Sequence, residues 1–306
     1  METPEAVLIA GPTASGKSGL AVEIARRVGG AVVNADSMQV YRDLQILTAR
    51  PTVEEMGGVP HHLYGHVDPR EPYSVGIWLR EVIDLLPRLA EEGRIPVFCG
   101  GTGLYFKALL NGLSDAPPIE KERRAALRAR MEAEGPAAMH AELARLAPEA
   151  AARIRPTDPQ RIVRALELAG SPSGTGLSAS TTTAPLAGTS LVKIVLTPER
   201  SDLRAAIAER FSRMMETGAE GEAEAFMTRY GAVSSLATQA IGLDELASLS
   251  RGDIEREHAM DRAIARSRQY AKRQETWFRN QFGPDWVRYP SPGAVLLSGT
   301  WAQLSG

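Results

Sequence analysis

The hydrophobic positions of this chain fall into two rhythms. Continuous apolar runs at Ala6-Val7-Leu8-Ile9-Ala10, Ala31-Val32-Val33-Asn34-Ala35, Ile95-Pro96-Val97-Phe98-Cys99 and Leu191-Val192-Lys193-Ile194-Val195-Leu196 are short, end in turn residues and read as buried strands. Between them apolar residues recur at helical spacing. Leu20 to Ala25 is one such stretch, and Trp78, Val82, Leu85, Leu86 and Leu89, closed by Gly93, make one face of another. Further helix patterns cover 201–217, 221–230 and roughly 254–280. Strand alternating with helix predicts an α/β fold whose parallel sheet is flanked by helices.

Near Ser114 to Pro118 the rhythm changes. Helix patterns follow one another at Ala125 to Met131, Met139 to Leu146 and Asp158 to Leu168, the last with Asp158 as N-cap and Pro159 in the first turn, and no strand signal interrupts them. Residues 171–190 are rich in Ser, Thr, Gly and Pro and predict a loop or linker. The expected organisation is a discontinuous core, 1–115 and 191–306, with an all-helical insertion at 116–190 that ends in the 171–190 loop.

Composition narrows the class. Of 306 residues, 43% are hydrophobic and 24% charged, the balance of a globular protein. No apolar run approaches the roughly 20 residues needed to span a bilayer. The amino terminus lacks a signal pattern, so a cytoplasmic protein without a membrane partner is expected, and a monomer. Cys99 is the single cysteine and cannot form an internal disulfide; its apolar run makes it a packed core thiol. A net charge of -2 excludes a uniformly basic nucleic-acid binder but not a local basic surface. Arg262, Arg266, Arg268, Lys272, Arg273 and Arg279 gather on one helix against only Asp261 and Glu275. That helix fits either an RNA backbone or a solvated surface.

The chemistry centres on Gly11-Pro12-Thr13-Ala14-Ser15-Gly16-Lys17-Ser18, which matches G-x-x-x-x-G-K-[ST] between a strand and a helix. Such a loop turns its amides inward at a helix N-terminus and holds an anion of several phosphate oxygens. Lys17 adds a charge, and Ser18 offers a hydroxyl to Mg2+ bridging the phosphates. A nucleotide and an isoprenyl diphosphate would suit this loop equally. Asp36 ends the second strand, on the same rim as the loop, where a carboxylate serves as general base, as partner to a metal-bound water or as a simple turn former. Gly100-Gly101-Thr102-Gly103 is another strand-to-helix turn at which backbone can approach a ligand. The adjacent His61 and His62 point to opposite faces of an extended segment, which disfavours their sharing one metal ion.

Six segments together resemble the tRNA dimethylallyltransferase (tRNA isopentenyltransferase) family: the P-loop, Asn34-Ala35-Asp36-Ser37-Met38-Gln39-Val40-Tyr41, Pro60-His61-His62-Leu63, Gly100-Gly101-Thr102-Gly103-Leu104-Tyr105, Asp158-Pro159-Gln160-Arg161 and Lys272-Arg273-Gln274-Glu275-Thr276-Trp277-Phe278-Arg279. The resemblance spans nearly the whole chain. It implies a P-loop NTPase-like core and transfer of a dimethylallyl group from dimethylallyl diphosphate to the exocyclic amine of the adenosine just 3′ of the anticodon, in tRNAs reading codons that begin with U. Asp36 would then be the general base, with Lys17 and Thr102 beside it. Gly11, Pro12, Thr13, Ala14, Ser15, Gly16, Lys17 and Ser18 would hold the diphosphate. Asp36, Ser37, Met38, Gln39, Thr102, Arg124, Gln160, Arg161, Ile162, Val163, Arg164 and residues 272–279 would meet the tRNA anticodon arm. The chain departs from the family pattern at Leu243-Asp244, where a Tyr and a basic residue are usual, at Glu224, where a basic residue is common, at Ser267, a Thr elsewhere, and in the 171–190 loop.

Overall fold

A computed structural model describes residues 4–113, 120–169, 184–231 and 235–298. The chain forms two compact units, Met1–Asn111 with Pro185–Gly306, and Gly112–Ala184.

In the first unit the elements run β1 (Ala6–Ala10), α1 (Lys17–Val28), β2 (Ala31–Asn34), α2 (Val53–Met56), β3 (His61–His62), α3 (Val75–Glu91), β4 (Pro96–Gly100) and α4 (Gly103–Asn111). The six described strands, with β5 (Leu191–Leu196) and β6 (Val287–Tyr289), form one sheet in the order β3-β2-β4-β1-β5-β6. Every pairing is parallel, so every strand delivers its carboxyl end to one rim. β1 lies between β4 and β5, with Ala10 level with Gly100 and Val195. Its residues are fully buried, as expected of a strand covered on both faces. Val7, Ile9, Val32, Val97 and Ile194 pack on one face against Leu20, Ile24 and Ala25 of α1. Gly29, left-handed at φ 64°, ends α1 with its N–H on Ala25 O.

The edge strands β3 and β6 carry too few apolar residues for a periodicity reading: one is His61-His62 and the other Val287-Arg288-Tyr289. They exist because their neighbours offer free ladder edges. After β5 come α8 (Arg200–Glu216), α9 (Ala219–Tyr230), a 3₁₀ turn at Ala237–Gln239, α10 (Leu243–Ser250), α11 (Arg256–Gln281) and, past β6, α12 (Pro292–Leu297). The predicted loop at 171–190 lies, through residue 183, outside the described residues. Its remainder is anchored by buried Leu186, whose N–H donates to Leu109 O at 3.2 Å.

The second unit is helical: α5 (Lys121–Leu146), α6 (Pro148–Ala152) and α7 (Pro159–Ala169). α5 breaks at Gly135 (φ 78°, ψ 165°) because Pro136 excludes a helical conformation from the residue before it. The two predicted patterns on either side of the break are therefore distinct helical segments. Leu127, Met139, Leu143, Ala151, Ile162 and Leu166 make this unit's own core. Among the described residues no helix is long and apolar enough to cross a membrane.

Candidate active site

Three parallel strands end beside one another, and each hands on a functional turn. β1 leads into the P-loop, where Ala14 (φ 64°) and Gly16 (φ 81°) take left-handed conformations, the kind of turn from which an anion-binding nest is built. The non-glycine Ala14 stores about 1–2 kcal/mol of strain there. Lys17 Nζ donates to Pro12 O at 3.3 Å across the loop. Desolvation pulls the Lys17 ammonium below its ordinary pKa, opposed in part by Cys99 and Asp36 and reinforced by Arg210. Ser15 Oγ is buried in the loop with no hydrogen-bond partner among the described residues. A buried, unsatisfied hydroxyl in this loop is what a bound oxyanion would complete. These donors suit a diphosphate, and Ser18 would offer its hydroxyl to a Mg2+ ion bound with it.

β2 leads into Asp36. Asn34, fully buried, is its organiser: Oδ1 accepts from Asp36 N at 2.8 Å, while Nδ2 donates to Asp36 O at 3.0 Å and to Leu63 O at 2.9 Å. Trp78 Nε1 holds Asn34 O from α3 at 2.8 Å. Asp36 Oδ1 in turn accepts from Met38 N at 2.9 Å, and Asp36 lines a cavity together with Thr13. β4 leads into Gly101-Thr102. Thr102 N donates to Ala35 O at 3.2 Å, and Thr102 Oγ1 accepts from Ser37 N at 2.9 Å and lies 3.2 Å from Ser37 Oγ. Gly100 has to be glycine, since a Cβ there would stand 2.0 Å from Ala35 O.

Gln274 of α11 ties the turns together. Its Oε1 accepts from Thr13 N at 2.9 Å, and its Nε2 donates to Gly101 O at 2.9 Å. Gly101 and Gly103 let α11 come this close: a Cβ on either would stand 2.1 Å from Gln274 Nε2 or Trp277 Cε3.

Next to the P-loop lies a pocket of mixed character. Thr13, Asp36, Arg210 and Tyr270 line it with polar groups, while Met38, Leu47, Ile207, Phe211, Met214 and Ile241 give it an apolar wall. Arg210 is drawn down to about 10 by burial, against the pull of Asp36. A larger, open pocket around Arg42, Asp43, Arg50, Glu222 and Arg229 contains no P-loop residue. There Glu222 is already satisfied by the N–H groups of Gln45, Ile46 and Leu47, and Asp43 by the Tyr230 hydroxyl. The smaller pocket, which the P-loop and Asp36 share, is therefore the candidate active site.

The predicted residues divide. The P-loop, Asp36 and Thr102 meet on the rim. The side chains of Gln39, Ile162, Gln274 and Phe278, expected to meet RNA, are buried: Gln39 Nε2 donates to Thr48 O and Ala49 O, Ile162 is core of the helical unit, Gln274 is the clamp just described, and Phe278 stacks on Phe282. Met38 turns to the apolar wall. Arg266 leaves the basic flank of α11, since Glu245, itself 1% exposed, takes its guanidinium at 2.7 and 3.0 Å. Leu243 and Asp244 begin α10, Leu243 is buried, and Asp244 lies 3.9 Å from Arg266. Gln160, Arg161, Arg268, Lys272, Arg273 and Arg279 remain exposed. Cys99 is a core thiol that burial pushes up to about 12, far from a nucleophile. Arg210, Tyr270 and the organising role of Asn34 escape a reading of the sequence. The one signal for Arg210 is its place seven residues after Leu203, on the stripe that Ile207, Phe211 and Met214 bury.

This rim defines a P-loop protein whose anion cradle opens onto an apolar chamber faced by a carboxylate, as suits a transferase of a phosphorylated hydrocarbon. Sequence profiles agree: one described as IPP transferase matches residues 39–281, and one described as isopentenyl transferase matches residues 4–64. The chain belongs to the IPP transferase family. A tRNA dimethylallyltransferase of Rhizobium etli is 50% identical over 294 residues, covering 94% of this chain and 98% of the relative. Among solved structures, the full-length tRNA isopentenylpyrophosphate transferase of Bacillus halodurans is 37% identical with a TM-score of 0.65, over 94% of this chain and 90% of that one. A eukaryotic dimethylallyltransferase acting on tRNA is 28% identical with a TM-score of 0.76, over 92% of this chain and 73% of that one.

Proposed function

We propose that this protein is a prenyltransferase that moves a dimethylallyl group from dimethylallyl diphosphate to N6 of the adenosine 3′-adjacent to the anticodon, in tRNAs reading codons that begin with U. The observation that carries this reading is the apolar wall of Met38, Leu47, Ile207, Phe211, Met214 and Ile241 directly beside the P-loop. A five-carbon branched chain is matched by such a wall, whereas a nucleoside would leave its ring nitrogens and hydroxyls without partners there.

The step follows from the residues. Asp36 accepts a proton from the adenine amine as the N6–C1 bond forms and the C1–O bond breaks. The amine needs this help because its lone pair is delocalised into the ring. The electron pair of the broken bond leaves on the diphosphate, whose growing charge meets the P-loop amides, Lys17 and Arg210. Mg2+ held with Ser18 would add charge neutralisation at the leaving group. The base reaches the rim flipped from its stack, at a cost of a few kcal/mol that is smallest in a loop. Exposed Arg161, Lys272, Arg273 and Arg279 supply phosphate contacts for the anticodon arm. Loop, base and chamber all come from one chain, so a monomer acting in the cytoplasm suffices.

The test is incubation with labelled dimethylallyl diphosphate and either unmodified tRNA or AMP, followed by mass analysis of nuclease fragments. A C5H8 gain on the adenosine next to the anticodon is expected. Label in AMP alone, or ATP cleavage without prenyl transfer, would overturn the reading.

A further inference from the structure

In the helical unit one carboxylate stands out. Glu167 on α7 is 4% exposed, beside Leu166 and near the unit's core. Its Oε1 takes Arg124 Nε from α5 at 3.1 Å, and its Oε2 takes Arg164 Nη1, one turn earlier on α7, at 2.9 Å. Both arginine side chains keep much of their surface in solvent, at 42% and 46%. Arg123 Nη2 donates to Leu166 O at 3.3 Å in the same place, further tying α5 to α7.

A buried carboxylate between two arginines is an expensive way to join two helices. Desolvating the ions costs several kcal/mol, and well-packed apolar residues would join them as well or better. What the arrangement adds is geometry. Two long, rotamer-rich side chains from different helices are held by one carboxylate, each through a single nitrogen, so that each guanidinium has N–H groups beyond the one that meets Glu167. Guanidinium forks bind phosphate oxygens bidentately, and two forks held in advance lose less freedom on binding than two that roam.

We propose that Glu167 is a positioning residue for tRNA: it sets Arg124 and Arg164 as a preformed pair that grips the RNA backbone. This rests on the reading of the protein as a tRNA prenyltransferase. Glu167 touches neither the prenyl donor nor the reacting amine.

The experiment uses the full chain, unmodified tRNA and dimethylallyl diphosphate. Glu167→Gln keeps shape and removes the charge that orients both forks. The tRNA KM and Kd rise on the order of tenfold, and the slope of log Kd against log salt becomes shallower by about 1, as expected when a phosphate contact is lost. The kcat and the KM for dimethylallyl diphosphate stay within about twofold, since the rim is untouched. Arg124→Ala costs much less in the Glu167→Gln background than alone, because the residues act as one unit. Should Glu167→Gln unfold the helical unit by circular dichroism, Arg124→Lys and Arg164→Lys keep the charges and remove the forks, and the same rise in tRNA Kd is expected. A tRNA Kd and salt slope unchanged in the variants that fold, or strictly additive effects of Glu167 and Arg124, would overturn the proposal. A parent protein that neither binds nor prenylates tRNA would instead refute the functional reading itself.

Discussion

Gln274 decides between two accounts of α11. If it is the clamp between the P-loop and the Gly101 turn, its replacement acts on the protein and the diphosphate; if it meets RNA, replacement acts on tRNA. Gln274→Met keeps length and removes both polar ends. Thr13 N–H and Gly101 C=O then lose partners that stand at 2.9 Å, the first bond part-buried and the second buried. A buried group left unsatisfied costs about 1–3 kcal/mol, and the part-buried Thr13 N–H regains part of this from water, so the variant is expected to lose about 2–4 kcal/mol. Against a global stability of about 5–15 kcal/mol this is a large loss. Guanidinium denaturation followed by tryptophan fluorescence measures it. Because Thr13 belongs to the cradle, the KM for dimethylallyl diphosphate should rise on the order of tenfold while the tRNA KM stays within about twofold. Gln274→Glu keeps the acceptor for Thr13 but loses the donor to Gly101 O, and should fall between parent and Met variant. Stability unchanged within about 0.5 kcal/mol, together with a rise in tRNA KM alone, would refute the clamp.

Further expectations follow from the same rim. Asp36→Asn keeps the acceptor for Met38 N and removes the base, so single-turnover kcat should fall about 10²–10⁴-fold while tRNA Kd barely moves. Lys17 has a folded pKa below its unfolded 10.5, so the unfolded chain binds more protons in the interval between them. The free protein therefore gains stability as pH rises through that window, whereas diphosphate affinity falls, because the anion needs the charged form. Urea midpoints and the KM for dimethylallyl diphosphate, measured at alkaline pH, should move in these opposite senses. Met214→Ala lengthens the apolar chamber and should raise the kcat/KM ratio of geranyl over dimethylallyl diphosphate, which competing-substrate assays with tRNA would show.

The strands of the sheet's centre were legible because burial on both faces leaves an uninterrupted apolar run, as in Ala6 to Ala10. The P-loop was legible because phosphate binding constrains spacing as well as residue type. Edge strands were not, since His61-His62 and Val287-Arg288-Tyr289 are specified by the ladders next to them more than by their own side chains. The site was half legible for a related reason. A helical period says which face is buried but not whether a polar residue on that face has a partner. Gln274 and Arg266 thus passed for surface residues on α11, although their partners, Thr13, Gly101 and Glu245, lie far off in sequence. The resemblance names whole segments, and only packing separates their core members, such as Ile162 and Phe278, from their exposed ones.

Why a P-loop should serve prenyl transfer, when the same loop elsewhere holds a nucleotide for phosphoryl transfer, follows from which bond lies at its mouth. In phosphoryl transfer the terminal phosphorus must face the acceptor, so the surroundings beyond the phosphates are polar and metal-rich. Here the ground beyond the cradle is Met38, Ile207, Phe211 and Met214, which cannot stabilise an attack on phosphorus but can seat a hydrocarbon. With the carbon end seated there, the bond at the boundary between apolar wall and cradle is C1–O. Asp36 stands at that boundary, fixed by Asn34 and Met38 N, and Lys17 and Arg210 bring positive charge to the cradle side. Separating the carboxylate from the leaving group in this way would let one rim withdraw a proton and release diphosphate in the same step, because the proton lost at the amine and the charge gained at the oxygen meet groups of opposite sign.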